Sequence, residues 1–120
     1  MDVGRAGAAM DEPRAEAIAA ELIEESAGLR SCALIGPGGE VLAATAANDW
    51  AEQSSRIWEA ASDPDRPPPV HVHVGIDGGE VFAVRGEHAS AIGIADRFSL
   101  ASLVLCDLRD ALRRLGPVAP

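Results

Sequence analysis

The stretch that most restricts this chain is Val70-His71-Val72-His73-Val74-Gly75-Ile76, where apolar residues alternate with histidine or glycine. A strict period of two puts the valines on one face of a strand and the imidazoles on the other. Asp63 to Pro69 leads into it, and the three consecutive prolines there remove backbone donors and hold the chain extended. Asp77-Gly78-Gly79 follows, a hairpin turn ahead of a second short run, Val81 to Val84. A strand of this kind has to sit in a sheet, and the rest of the chain must supply the layers that cover it.

The other segments switch between strand and helix periodicity. Asp11-Glu12-Pro13 reads as a helix opener; Ile18, Leu22 and Ile23 follow near helical spacing, and Gly28 is the expected stop. Ser31–Ile35 and Val41–Ala44 are apolar runs joined by Gly36-Pro37-Gly38-Gly39, a hairpin. Asn48 or Asp49 is expected to cap a second helix reaching about Ala61. It carries Trp50, Ser54, Ile57, Trp58 and Ala61 on one stripe and Glu52, Gln53, Arg56 and Glu59 opposite. Gly86-Glu87-His88 turns into Ala89–Ala95. There Ala89, Ala91, Gly93 and Ala95 share a face small enough for a helix to approach closely, while Ile92 and Ile94 fill the opposite layer. A last helix, with Ser99 as its expected cap, places Leu100, Leu103, Val104, Leu108, Ala111, Leu112 and Leu115 on a broad stripe. It ends in Arg109, Arg113 and Arg114 before Gly116-Pro117. The order is αββαβββα, which predicts an α+β fold in a single domain over residues 11–116. Residues 1–10 are expected to be disordered and 117–120 to form a tail.

Composition removes several chemistries. The 120 residues include no lysine, so neither a Schiff-base enzyme nor a phosphate-binding P-loop can be built here. Gly36-Pro37-Gly38-Gly39 joins two strands instead of opening a helix, and so lacks the aligned amides that hold an anion. Residues 1–66 carry 13 acids and 5 arginines, or −8, out of a total of −9. That acidic half repels phosphate backbones and anionic lipid, which argues against nucleic-acid or membrane binding. No apolar run is long enough to span a bilayer, and the segment before Met10 lacks the apolar stretch of a secretory signal; a cytoplasmic protein is expected. Cys32 and Cys106 lie in apolar runs and read as buried core thiols with little thiolate character. No GxSxG elbow is present, and Glu24-Glu25 are neighbours that do not face each other on a helix. No enzyme site assembles, and no cofactor is expected.

With these elements placed, the chain resembles the roadblock/dynein light chain superfamily. The resemblance is carried by the Ser31–Ala44 hairpin with GPGGEVLA at its turn, by the tryptophan-bearing second helix, and by the closing segment GIADRFSLASLVLCDLRDALRRL. It implies a five-stranded antiparallel sheet flanked by three helices, a roadblock/profilin-like architecture with the first and last helices on one face and the second on the other. It further implies homodimers that pair the strand after the second helix edge to edge and pack the second helices together. It also implies a regulatory or scaffold role towards small Ras-like GTPases, with bacterial relatives in GTPase-linked signalling.

The residues themselves support the dimer at one point. No charge interrupts residues 70–76 at neutral pH, so at a sheet edge this strand would need pairing or protection. The expected seam is Val70, Val72, Val74 and Ile76, with Trp50, Ile57 and Trp58 adding apolar area; the other reading puts both tryptophans in the monomer core. Arg56, on the polar face of the second helix, is the residue singled out for contact with a partner. His71 and His73 share a strand face at a spacing some metal sites use, with His88, Asp77 or Glu87 as further ligands; packing under a helix or at a seam, or pH sensing, are the other readings. A small-ligand sensor with a PAS- or profilin-like sheet is the alternative function, and a pocket with convergent polar groups would mark it.

Overall fold

The computed structural model describes the backbone of residues 3–117 and the side chains of residues 12–117. Residues 1, 2 and 118–120 lie outside it, and with them the ends of the segments expected to be disordered or tail-like. The strands are β1 (Leu29–Ile35), β2 (Val41–Ala44), β3 (His71–Ile76), β4 (Gly79–Arg85) and β5 (Ser90–Ala95); the helices are α1 (Val3–Glu25), α2 (Trp50–Ala61) and α3 (Ala101–Leu115). They follow the expected order.

The strands form one sheet in the order β2-β1-β5-β4-β3, antiparallel at every pairing. Alternation along each strand divides the core in two. Cys32, Leu34, Phe82, Val84, Ala91 and Ala95 face α1 and α3, where Leu22, Val104, Leu108 and Leu115 close over them. Ala33, Ile35, Ala83 and Ile92 face α2 and pack on Trp50 and Trp58. The small residues of β5 are needed for this fit. A Cβ added at Gly93 would come within 2.7 Å of Leu29 Cδ1, so the Leu29 side chain would have to shift to admit it. With Phe82, Leu34 and Ile92 essentially inaccessible, the aliphatic core needs few aromatics.

Several local expectations are corrected. Helix α1 begins at Val3 and not near Asp11, so Pro13 lies inside it and not in its first turn. Neither Asn48 nor Asp49 caps α2 through its side chain; the Asn48 Oδ1 instead accepts from the Asp49 backbone N–H at 2.8 Å and from Gln53 at 2.9 Å. Leu100 and not Ser99 occupies the cap position of α3, and the Ser99 hydroxyl donates back to Asp96 O at 2.7 Å. The terminators do match. Gly28 and Gly116 both have positive φ, and the Gly116 N–H donates to Leu112 O at 3.1 Å. On α3, Leu100 and Leu103 are exposed at 67% and 56%, and Cys106 is exposed as well, so the buried stripe is narrower than its sequence pattern.

Candidate functional site

Strand β3 is an edge strand, hydrogen-bonded to β4 alone, with its other side open. The Arg85 N–H donates to Val70 O at 2.8 Å. Antiparallel ladders alternate, so the backbone groups of Val72, Val74 and Ile76 turn towards β4 and those of His71, His73 and Gly75 turn outwards. A row of donors and acceptors therefore faces away from the sheet. Val74 and Ile76 remain 43% and 42% exposed on the α2 side, with Val72 and Ile57 half-buried beside them, and Val70, just ahead of the strand, is 58% exposed. Exposed apolar side chains beside unpaired backbone groups are the features of a pairing surface.

The tryptophans are placed differently. Trp50 is 2% exposed and Trp58 9%, both within the α2-side core. The Trp50 indole N–H donates to Ala46 O at 2.8 Å, and the Arg85 guanidinium covers the Trp58 ring at 4.2 Å. The core reading of these residues is the one the fold adopts, because α2 must turn its largest side chains onto the sheet to be held there. They have little area left for a seam. Arg56 is exposed and tied to Glu52 at 2.7 Å. Glu52 in turn has its carboxyl pushed up by its hydrogen bond with Asp49, with Arg56 opposing.

The imidazoles lie on the opposite face from the valines. His73 stacks on Phe82 with ring centroids 4.2 Å apart, and its Nε2 is 2.9 Å from Glu80 Oε1. His71 Nδ1 accepts from Arg109 Nη2 at 3.3 Å, across 38 positions of sequence. His88 sits in the β4–β5 connection with Nε2 3.6 Å from Glu87 Oε2. The three histidines thus have three different partners, and neither Asp77 nor Glu87 joins His71 and His73. Among the described residues no three metal-ligating side chains stand together.

Sequence reasoning missed two features. Arg109 and Arg113 of α3 line an open cavity of about 490 Å³ with Val70, Arg85, His88 and Leu112, at the start of β3. The helix pattern shows that these arginines are exposed but not that Arg109 reaches the start of β3. The other is a second apolar patch at the β5–α3 junction, where Phe98 is 91% exposed with φ +64° beside Leu100 and Leu103. Nothing in the sequence marks Phe98 for left-handed backbone. Residues 36–39 behave as a plain turn, with the Gly36 N–H donating to Glu40 O at 2.8 Å.

No protein-family model matches the chain, and no curated protein does. Solved structures do. A roadblock/LC7 domain from Streptomyces avermitilis superposes with a TM-score of 0.70 at 15% identity, covering 82% of this chain and 91% of that one. The chain has the roadblock fold. Myxococcus xanthus MglB has a TM-score of 0.67 at 11% identity, covering 87% of this chain and 86% of its own. The gliding protein MglB from Thermus thermophilus has a TM-score of 0.67 at 19% identity, with coverages of 91% and 90%. At such identities the likeness lies in the roadblock architecture itself, the sheet with α1 and α3 on one face and α2 on the other. Among the described residues of this roadblock-fold chain, no helix is long and apolar enough to cross a membrane.

Proposed function

We propose that this roadblock-fold chain is a non-enzymatic regulatory or scaffold module that forms a homodimer through β3 and docks a small Ras-like GTPase or a related signalling protein in the cytoplasm. The observation that carries the reading is the open edge: His71, His73 and Gly75 turn their backbone groups outwards beside exposed Val70, Val74 and Ile76. A second copy of the same strand satisfies both the hydrogen bonds and the apolar side chains, and a two-fold contact is self-complementary by construction. One solved structure of this fold, an MglB 19% identical to the chain, is described in a tetrameric arrangement, which supports self-association. Ile57 of α2 borders the seam, and Arg56 on the outer face of α2 is the arginine offered to the partner. The GTPase partner rests on the resemblance to the superfamily.

The sensor alternative draws less support. The small face of β5 is filled by side chains, as the 2.7 Å clearance at Gly93 measures, and the cavities along the surface are open grooves instead of enclosed pockets.

Sedimentation equilibrium tests the dimer directly. A dimer at micromolar concentration is expected, and a monomer persisting to millimolar concentration would overturn the reading. The partner is tested by retention of a purified small Ras-like GTPase, loaded with either nucleotide, on the immobilised chain. Nucleotide-dependent retention is expected, and loss of both forms in the wash removes the GTPase from the proposal.

A further inference from the structure

Three charged side chains beside β3, Arg85, Arg109 and Asp77, have no opposite charge among the described residues, and Arg85 is held over the Trp58 ring. Arg109 reaches His71 but no carboxylate, and Asp77, exposed in the β3–β4 turn, reaches no cation. Within one chain Asp77 and Arg109 sit at opposite ends of the strand, one beyond Ile76 and the other over His71.

Symmetry restricts how β3 can meet itself. A two-fold axis normal to the sheet keeps the α2 side of one copy continuous with the α2 side of the other, so directly opposed residues must share a face. Val72 can oppose only even-numbered positions of the strand, and His71 only odd-numbered ones. Both registers that use most of the strand obey this and keep the outward groups of His71, His73 and Gly75 in hydrogen bonds. Centred on residue 73, the pairing sets His73 against His73 and His71 against Gly75, and leaves Asp77 beyond the ladder. Centred on residue 74, it sets Val74 against Val74, Val72 against Ile76 and His73 against Gly75, where nothing lies within 4 Å of a Cβ position. It also sets His71 against Asp77. The first register sets Val70 against Ile76 and the second sets it against Gly78, so the second covers one valine less. What favours the second is the imidazole face, where the first opposes two like rings and the second joins an acid to a basic site.

We propose that β3 pairs about Val74, so that Asp77 of each copy enters the cavity lined by Val70 and Arg109 of the other and forms an ion pair with Arg109 beside His71. The inference rests on the dimer proposed above and specifies its register and the residue that each copy contributes. The site's chemistry is recognition of a carboxylate by a guanidinium fork that already has one edge fixed by an imidazole.

Cysteine cross-linking reads the register, in a Cys106→Ser background that removes the exposed native thiol. Directly opposed residues bring their Cα atoms to about 4.5–5.5 Å, within disulfide range, whereas residues offset by two stand about 7–8 Å apart. Val74→Cys is expected to give a covalent dimer on mild oxidation and His73→Cys is not. Separately, Asp77→Arg and Arg109→Asp are each expected to raise the dimer dissociation constant about fivefold or more, and the double exchange to restore it to within about twofold. Asp77→Asn, which keeps the turn's shape, is expected to weaken the dimer in the same direction. Cross-linking through His73→Cys in place of Val74→Cys, or charge variants that leave the dimer unchanged or fail to compensate, overturns this register. A wild-type monomer would instead remove the dimer itself.

Discussion

Burial pushes the Cys32 thiol up to about 11 from its ordinary 9.0, with Thr45 pulling weakly the other way. The side chain lies between β1 and α1, where its S–H donates to Ala19 O at 3.6 Å. The folded chain therefore holds this proton more tightly than the unfolded chain does. The resulting stability is fully present below about pH 9 and is lost as pH rises through about 11, amounting to about 2–3 kcal/mol over the interval. Urea midpoints compared at about pH 8 and about pH 10.5 should fall for the native sequence. Cys32→Ala should flatten that dependence; an equal fall in the variant would assign the loss to other groups. The two cysteines separate sharply at this scale. Both sit in apolar runs, yet Cys106 is on the outer side of α3, because a helix turns away from the core every few residues whatever the polarity of its neighbours.

An edge strand has two kinds of position, and proline tells them apart. The Gly75 N–H points away from β4, so Gly75→Pro removes only an outward donor, which edge strands tolerate. Val74→Pro removes a donor from the β3–β4 ladder and is expected to cost the monomer about 1–3 kcal/mol. Gly75→Pro should accordingly abolish dimerisation in sedimentation while leaving the circular dichroism and urea midpoint of the monomer close to native. A Gly75→Pro protein that still dimerises would show that the seam does not use this edge. The β3 alternation was readable because a strand's faces follow from local geometry, and the hairpin at residues 77–79 followed from its glycines. Which helix positions are buried was less readable. Leu100 and Leu103 are apolar and at helical spacing, but α3 rests on β4 and β5 with Val104 and Leu108 inward, which leaves those two leucines outside. The Ser99 cap failed for a related reason, since the helix starts one residue later than the pattern suggests, with Leu100 at the cap position.

For the molecule as a whole, a ligand that binds only the native state raises apparent stability by mass action, and a second copy is such a ligand. If β3 joins two chains, the thermal midpoint must rise with protein concentration, by several degrees over a hundredfold range for a domain of this size. Gly75→Pro should remove that dependence. A concentration-independent midpoint for the native chain, together with a monomeric mass, would leave the roadblock fold intact but without its proposed assembly.

The sequence by itself determined the order of elements, the two-faced character of β3 and the small-residue face of β5, because period and side-chain volume act between neighbours along the chain. It also carried the resemblance that the superpositions bear out as a fold. Only the tertiary structure decided that β3 lies at the rim, that the tryptophans are core, and that Arg109 reaches His71 from 38 positions away. Those outcomes depend on which elements pack together and at what angle, and that is settled by the competition of all buried surfaces at once.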